Sequence, residues 1–378
     1  MNADDTNQAR HCYIHIPFCH HICPYCAFYK HKPGSLANAA FIEALLLQFE
    51  REKDLLAPRL DTLYLGGGTP SLLSAAHLET LFEGLASRIS SETEVTLEAN
   101  PATFDLKKAR RFREIGINRI SLGVQSFQPE ILPTLGRDHT GEDAKTAFHL
   151  LREAGFENIS IDLMFSIPGQ DKALWQNDLE IATCQLKPDH VSCYNLTFEE
   201  DTEFLARHRD GELDADENRD ADLFFQALDH LESAGFRHYE ISNYARPGFE
   251  SRHNRAYWSG DDYLGLGPSA VSTIAETRWK TLPDTAAWIE NPTARVETET
   301  LTDEDRRLEA IALQLRTAGG IRINRVGVTN EPCSIETAKQ TDPVRSLIEQ
   351  GWIEIEDDRI KLTREGKALA DPIAAQLA

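Results

Sequence analysis

The chain has 378 residues, 41% of them hydrophobic, with 61 acidic against 39 basic side chains and a formal net charge of -22. That length allows one large and one smaller domain, and that apolar share fills their cores. So acidic a surface repels phosphates, which excludes non-specific binding of nucleic acid or anionic lipid as a main activity.

The first eleven residues are polar and lack the apolar stretch of a secretory signal. No apolar run approaches the ~20 residues that span a bilayer. A reducing, cytoplasmic setting is therefore expected, with no integral membrane segment and with thiols free to take metal. A short apolar run from Cys12 to Ile16 reads as a strand and leads into Cys19, Cys23 and Cys26 at C-x3-C-x2-C spacing. So tight a loop can converge three thiolates on one centre, and thiolates suit iron–sulfur clusters or zinc. In a cubane, three cysteines leave one iron open to a small molecule. A zinc site would instead take His15, His20 or His21 as a fourth ligand, and the loop alone admits both. Cys12, Cys184, Cys193 and Cys333 are scattered and read as small buried hydrophobes.

After this loop, Phe41, Ile42, Leu45, Leu46 and Phe49 recur at helical spacing. Strands are predicted at 61–65, 94–98, 119–124, 159–163 and 190–194, with helices between them, including one over 106–115 and one from about Lys172. A strand–helix unit repeated about six times implies a parallel sheet with helices on its outer face, too short for a closed eight-stranded barrel. The fold expected is α/β, a partial, open (β/α)6 TIM-like barrel, with a doubly wound sheet as the structural alternative. From Asp201 to Asp222 the chain is acidic and reads as helix ends and loop, with a helix over Leu223 to Ala234. Arg252 to Gly267, rich in glycine and aromatics, reads as loop. A helix over 304–315, another over 344–350 and two short strands around Asp357-Asp358 suggest a smaller C-terminal α+β, winged-helix-like region. It carries no basic excess, so packing or protein contact is expected of it rather than DNA binding. The expected divisions are 8–240 for the barrel, 241–300 for a connecting substrate region and 301–378 for the C-terminal region.

In a parallel barrel, function gathers where strands end. Tyr13 lies on the first strand; Gly66, Gly67, Gly68 and Thr69 follow the second, where backbone free of side chains lets a ligand approach. Glu98 ends the third strand, Gln125 the fourth, and Asp162 lies near the end of the fifth, with Arg137 in the loop after the fourth.

The cysteine loop, with an aromatic residue just before its third cysteine, resembles the signature of radical S-adenosylmethionine proteins. Tyr-Ile-His-Ile-Pro-Phe-Cys at 13–19 resembles their HemN/HemW family. Five further contexts of that family occur in order: Gly-Gly-Gly-Thr-Pro, Glu-Ala-Asn-Pro, Gly-Val-Gln-Ser-Phe, Leu-Gly-Arg and Ile-Asp-Leu-Met. The resemblance implies a radical-SAM barrel with a [4Fe-4S] cluster on Cys19, Cys23 and Cys26 and with S-adenosyl-L-methionine as cofactor. It places Tyr25 beside the adenine, Glu98 on the ammonium, Arg137 on the carboxylate, and Gln125 and Asp162 on the ribose hydroxyls. Tyr13, Gly67, Gly68, Thr69 and Phe28 are further candidate contacts.

Within this family, oxygen-independent coproporphyrinogen III oxidases carry a fourth cysteine two residues after the third and a long N-terminal extension. Here Phe28 stands at that position. Together with His253-Asn254-x-x-Tyr257-Trp258, this resembles the HemW heme chaperones, so heme binding and transfer to acceptor (respiratory) hemoproteins are expected. Oxidase activity is not, and no residue is named as catalytic. A radical enzyme acting on a tetrapyrrole is the alternative. The candidate heme site is His253, Tyr257 and Trp258, with His253 as the leading axial ligand and His20 and His21 as rivals. After Gly267 the chain has Pro268-Ser-Ala-Val271 where the family pattern ends in Ala-His, so no heme contact carries over at that turn.

Overall fold

A computed structural model describes residues 8–34, 38–326 and 341–378. Strands β1 (His11–Ile16), β2 (Thr62–Gly67), β3 (Glu94–Ala99), β4 (Arg119–Gln125), β5 (Ile159–Phe165) and β6 (His190–Asn195) lie side by side in sequence order, all parallel. Helices α1 (Asn38–Glu52), α2 (Ala75–Leu85), α3 (Leu106–Glu114), α4 (Gly141–Glu153) and α5 (Lys172–Glu180) connect them. Right-handed crossovers between sequential neighbours put every connecting helix on one face. A doubly wound sheet needs a reversal of strand order, and there is none. The other face curls inward as a partial barrel. It stays open, because β1 pairs next with β9 (Tyr263–Leu266) and β6 with β8 (Asn243–Ala245).

Strand alternation sorts the side chains. Leu63, Leu65, Val95, Leu97, Ile120 and Leu122 face outward and are buried under Phe41, Leu45, Leu81, Phe112 and Phe148 of the helices. Each such side chain contributes about 1.5–3 kcal/mol by leaving water. The alternate positions, Tyr64, Glu98, Ser121, Asp162 and Ser192, face the lumen and are polar.

Three stretches differ from the sequence expectation. Arg252 to Gly267 is not a loop but helix α8 (Arg252–Ser259) followed by β9. Ser251 caps the helix by accepting the Asn254 N–H, the Glu94 carboxylate accepts the N–H groups of Arg252 and His253, and Gly260 ends it at φ 77°. Two turns are too short to show a helical period. In the acidic stretch, α6 (Glu203–Arg209) forms, and α7 (Glu217–Ser233), capped by Asp216, begins at Glu217 rather than near Leu223. Acidic residues there suit a helix N-terminus, where the dipole is positive. The segment expected to connect domains instead joins the same sheet. Strands β9, β10 (Val271–Ile274), β11 (Thr277–Thr281) and β12 (Arg295–Thr300) extend it beyond β1, while β7 (Arg237–Glu240) and β8 extend it beyond β6, giving twelve strands. Helix α9 (Thr285–Glu290) lies between β11 and β12. Cys12 and Cys193 are buried, but Cys184 is exposed; Cys333 lies outside the described residues.

The C-terminal region has its own core of Ile311, Leu315, Val344, Leu347, Ile353, Ile360 and Ile373. It comprises α10 (Asp303–Gln314), β13 (Ile321–Arg322), α11 (Asp342–Glu349), β14 (Ile353–Glu356), β15 (Arg359–Leu362), α12 (Arg364–Lys367) and α13 (Ala370–Leu377). The three strands form an antiparallel sheet in the order β13-β15-β14, in keeping with a winged-helix-like unit. It meets the barrel through Arg364 on Asp229 and through Gln314 on the Ser259 carbonyl. Among the described residues, no helix is long and apolar enough to cross a membrane.

Candidate functional site

A cavity of about 540 Å³ opens where β2 to β6 end. The cysteine loop walls one side of it, and Gly67, Gly68, Thr69, Glu98, Gln125, Arg137 and Asp162 line it with Tyr25 and Phe28. The sequence-derived candidates for the cluster and for S-adenosylmethionine therefore meet in one place, with one exception. Tyr13 does not line the cavity; its ring stacks on Tyr64 at 6.1 Å and its hydroxyl lies 3.1 Å from His15 Nδ1.

The glycines serve packing as well as access. A Cβ on Gly68 would come within 2.8 Å of the Ile16 and Phe18 carbonyls, and one on Gly67 (φ 105°) would strike the His15 ring. The end of β2 can lie on the end of β1 only without those side chains.

Two carboxylates form the floor. Glu98 Oε1 accepts the Tyr64 hydroxyl at 2.9 Å, and Oε2 accepts the Gly67 N–H at 3.1 Å. Burial nonetheless pushes its carboxyl up to about 7, with the nearby Asp162 charge adding to the rise. Asp162 accepts three serine hydroxyls, Ser192 at 2.7 Å, Ser121 at 2.8 Å and Ser160 at 3.0 Å. Burial raises its carboxyl too, and the hydroxyls oppose that rise. Two carboxylates in one low-dielectric cavity favour a ligand that brings positive charge and hydrogen-bond donors.

On the opposite wall, Thr69 donates to Cys19 Sγ at 3.5 Å and the Arg137 guanidinium lies 3.9 Å from Cys23 Sγ. Arg137 also donates to the Gly123 carbonyl at 2.7 Å, while its Nε is buried without a partner. A guanidinium beside the cysteines stabilises thiolate, the form that binds metal. Burial pushes the Cys19 and Cys26 thiols up, while Thr69 beside Cys19 and Lys30 beside Cys26 oppose that rise. Among the described residues, no three His, Cys, Asp or Glu side chains close on a single ion. The three thiols share one wall of the cavity. Tyr25 packs on Phe204 at 6.3 Å, and Phe28 is 68% exposed at the rim, near the exposed His20 and His21.

The structure does not bring His253, Tyr257 and Trp258 to this cavity. They lie on α8, at the start of the strands, about 15 Å of strand away from their ends. His253 is 5% exposed; its ring stacks on Tyr64 at 4.9 Å and its Nδ1 lies 2.7 Å from Thr62 Oγ1. Burial lowers its pKa to about 3, so it is neutral and enclosed, with no face open to a macrocycle. Tyr257 hydrogen-bonds Tyr263 at 2.8 Å, and Trp258 lies under the Arg316 guanidinium at 5.9 Å.

Sequence reasoning missed Tyr64, Ser121, Ser160, Ser192 and Tyr194. The signal was present: polar residues at every second position of strands whose other positions are apolar.

The sequence profile of the Radical SAM superfamily matches residues 13–181, and that of the HemN C-terminal domain matches residues 301–369. The heme chaperone HemW of Lactococcus lactis subsp. lactis is 36% identical over 366 residues, covering 96% of this chain and 95% of that protein. HemW of Bacillus subtilis is 33% identical, covering 96% and 97%. HemW of Escherichia coli is 38% identical over a shorter span, 69% of each chain. Among solved structures, coproporphyrinogen III oxidase (HemN) from Escherichia coli, a radical SAM enzyme, superposes with a TM-score of 0.82 over 99% of this chain and 91% of that one, at 22% identity.

Proposed function

The chain belongs to the HemW family of radical S-adenosylmethionine proteins, and from that premise we propose that it is a heme chaperone, binding heme and passing it to acceptor hemoproteins. The observation that carries the reading is the convergence of three free thiols, two carboxylates, Gln125 and Arg137 on one cavity at the strand ends. The donor set fits both cofactors of the family. Cys19, Cys23 and Cys26 would hold a [4Fe-4S] cluster, which supplies an iron with an open position and a source of electrons.

The chain's own residues then bind and orient S-adenosylmethionine. Glu98, ionised above about 7, takes the ammonium. Arg137, with its unpartnered Nε, takes the carboxylate. Gln125 and Asp162 take the ribose hydroxyls, and Tyr25 flanks the adenine. Gly67, Gly68 and Thr69 supply backbone at the wall. Phe28 stands where a tetrapyrrole-modifying relative would carry a fourth cysteine, and with His20 and His21 it forms an apolar, imidazole-bearing rim suited to a flat macrocycle. His253 is a structural residue in this reading. The acceptor is a protein rather than nucleic acid, which the net charge of -22 repels, and the setting is the cytoplasm.

Anaerobic reconstitution followed by heme or coproporphyrinogen III tests the proposal. A bound-heme absorption band without decarboxylated product supports it. Decarboxylated product with 5′-deoxyadenosine would instead favour the enzyme alternative.

A further inference from the structure

A line of hydrogen bonds crosses the barrel lumen from one end of the strands to the other. The Ser251 N–H lies 3.3 Å from the Tyr239 hydroxyl oxygen, which lies 2.8 Å from His190 Nε2. His190 Nδ1 is 2.8 Å from Ser160 Oγ, and Ser160 Oγ is 3.0 Å from Asp162 Oδ1.

Counting protons fixes the direction. An ionised carboxylate only accepts, so Ser160 gives its one hydrogen to Asp162 and must accept from His190 Nδ1–H. His190 is fully buried, and burial holds it neutral. A neutral ring protonated at Nδ1 bares Nε2, which accepts the Tyr239 O–H, and the Tyr239 oxygen accepts from Ser251. Every donor points toward the cavity. Ser192 spends its hydrogen on Oδ1 and Ser121 on Oδ2. Three of the roughly four lone-pair directions of the carboxylate are therefore filled.

We propose that His190 and Tyr239 are positioning residues for the ligand pocket: they fix the Ser160 hydroxyl on Asp162, so that this carboxylate offers its one remaining acceptor site to a single hydroxyl or ammonium donor of the ligand. The proposal rests on the reading of Asp162 as a ligand contact. Because Ser251 is the cap of α8, the line also ties the helix at the far end of the barrel to the ligand site.

The test is S-adenosylmethionine affinity in the reconstituted full chain, with iron content and melting temperature as fold controls. Tyr239→Phe removes the O–H, lets the imidazole carry its hydrogen on Nε2, and turns the Ser160 hydrogen from Asp162 toward Nδ1. Affinity should fall roughly three- to tenfold with the controls unchanged. His190→Asn places an amide N–H where Nδ1–H stood, holding Ser160 without help from Tyr239. In that background Tyr239→Phe should cost nothing further, and an equal cost in both backgrounds would overturn the proposal. Should His190→Asn not fold, Ser160→Ala serves: it should lose as much as Tyr239→Phe, and the pair should lose no more than either alone. Additive losses there would also overturn it. Asp162→Ala separates the two readings. Full affinity in that variant would overturn the ligand role of Asp162 and the proposal with it. Weakened binding there, with full affinity in Tyr239→Phe, would overturn the relay alone.

Discussion

His253 stacks on Tyr64, ring centroids 4.9 Å apart and planes 27° from parallel, and this pair seats α8 in the base of the barrel. Removing the ring leaves a cavity and strips Thr62 of a partner. His253→Ala should therefore destabilise the fold by about 2–4 kcal/mol, while the folded fraction keeps its heme absorption. Chemical unfolding and heme titration of one preparation check both halves. Normal stability with lost heme binding would reverse the assignment.

Cluster loss should be selective. Cys19→Ala, Cys23→Ala or Cys26→Ala should each abolish the brown chromophore and most bound iron. Cys12→Ala should keep both, because Cys12 is fully buried in β1 and burial pushes its thiol up to about 12. Stoichiometric zinc in place of iron, in anaerobically prepared protein, would count against the cluster.

Glu98→Gln keeps the shape of the side chain and removes the charge. S-adenosylmethionine affinity should drop roughly ten- to a hundredfold, the worth of a charge-assisted hydrogen bond. The free carboxyl sits at about 7, so binding by the wild-type chain should tighten as the pH rises from 6 to 8, when the group ionises. Isothermal titration across that range should give a slope for the wild type and a flat line for Glu98→Gln.

Stability should fall as the medium is acidified. His15, His139 and His238 are held down to about 4 and His253 to about 3, and His190 lies well below its ordinary value, all chiefly by burial. Unfolded imidazoles take up protons near 6.5. The stability these five contribute is complete above that pH and is lost as the pH drops toward the folded values. Glu98 and Glu240 at about 7, Asp178 at about 6, and Asp162 and Asp261, also raised by burial, act in the opposite sense, since each binds a proton more readily when folded. His11 and His230, lowered by burial as well, bring the histidines to seven against these five, so urea midpoints should decline from pH 7 to pH 5. A rising midpoint would contradict that balance.

The alternation of strand and helix, the cysteine loop and the polar strand ends were legible because each is written in a short stretch of chain. Glu98, Gln125, Arg137 and Asp162 met in one cavity because parallel strands in register bring every C-terminal end to the same side. Legibility failed where a residue's meaning depends on distant partners. His253 reads as an open imidazole beside aromatics, but its environment is made by Thr62, Tyr64 and Glu94, far away in sequence. Helix α8 is held at its start by that same Glu94 as well as by the local Ser251 cap, so only part of its signal is local. The serines around Asp162 were readable in principle, since Ser121, Ser160 and Ser192 hold the inward phase of their strands, but a lone serine in a strand carries little signal.

Gln125 occupies the left-handed region at φ 68°, where the register of β4 against β5 slips between Gly123 and Gln125. A residue with a side chain pays about 1–2 kcal/mol to stand there, and glycine would not. The cavity wall thus contains a liability that one substitution could relieve. Screening libraries of this chain for heat resistance alone should enrich glycine at this position and return hardier proteins that hold their ligand poorly. Only a screen that also demands ligand would keep the glutamine.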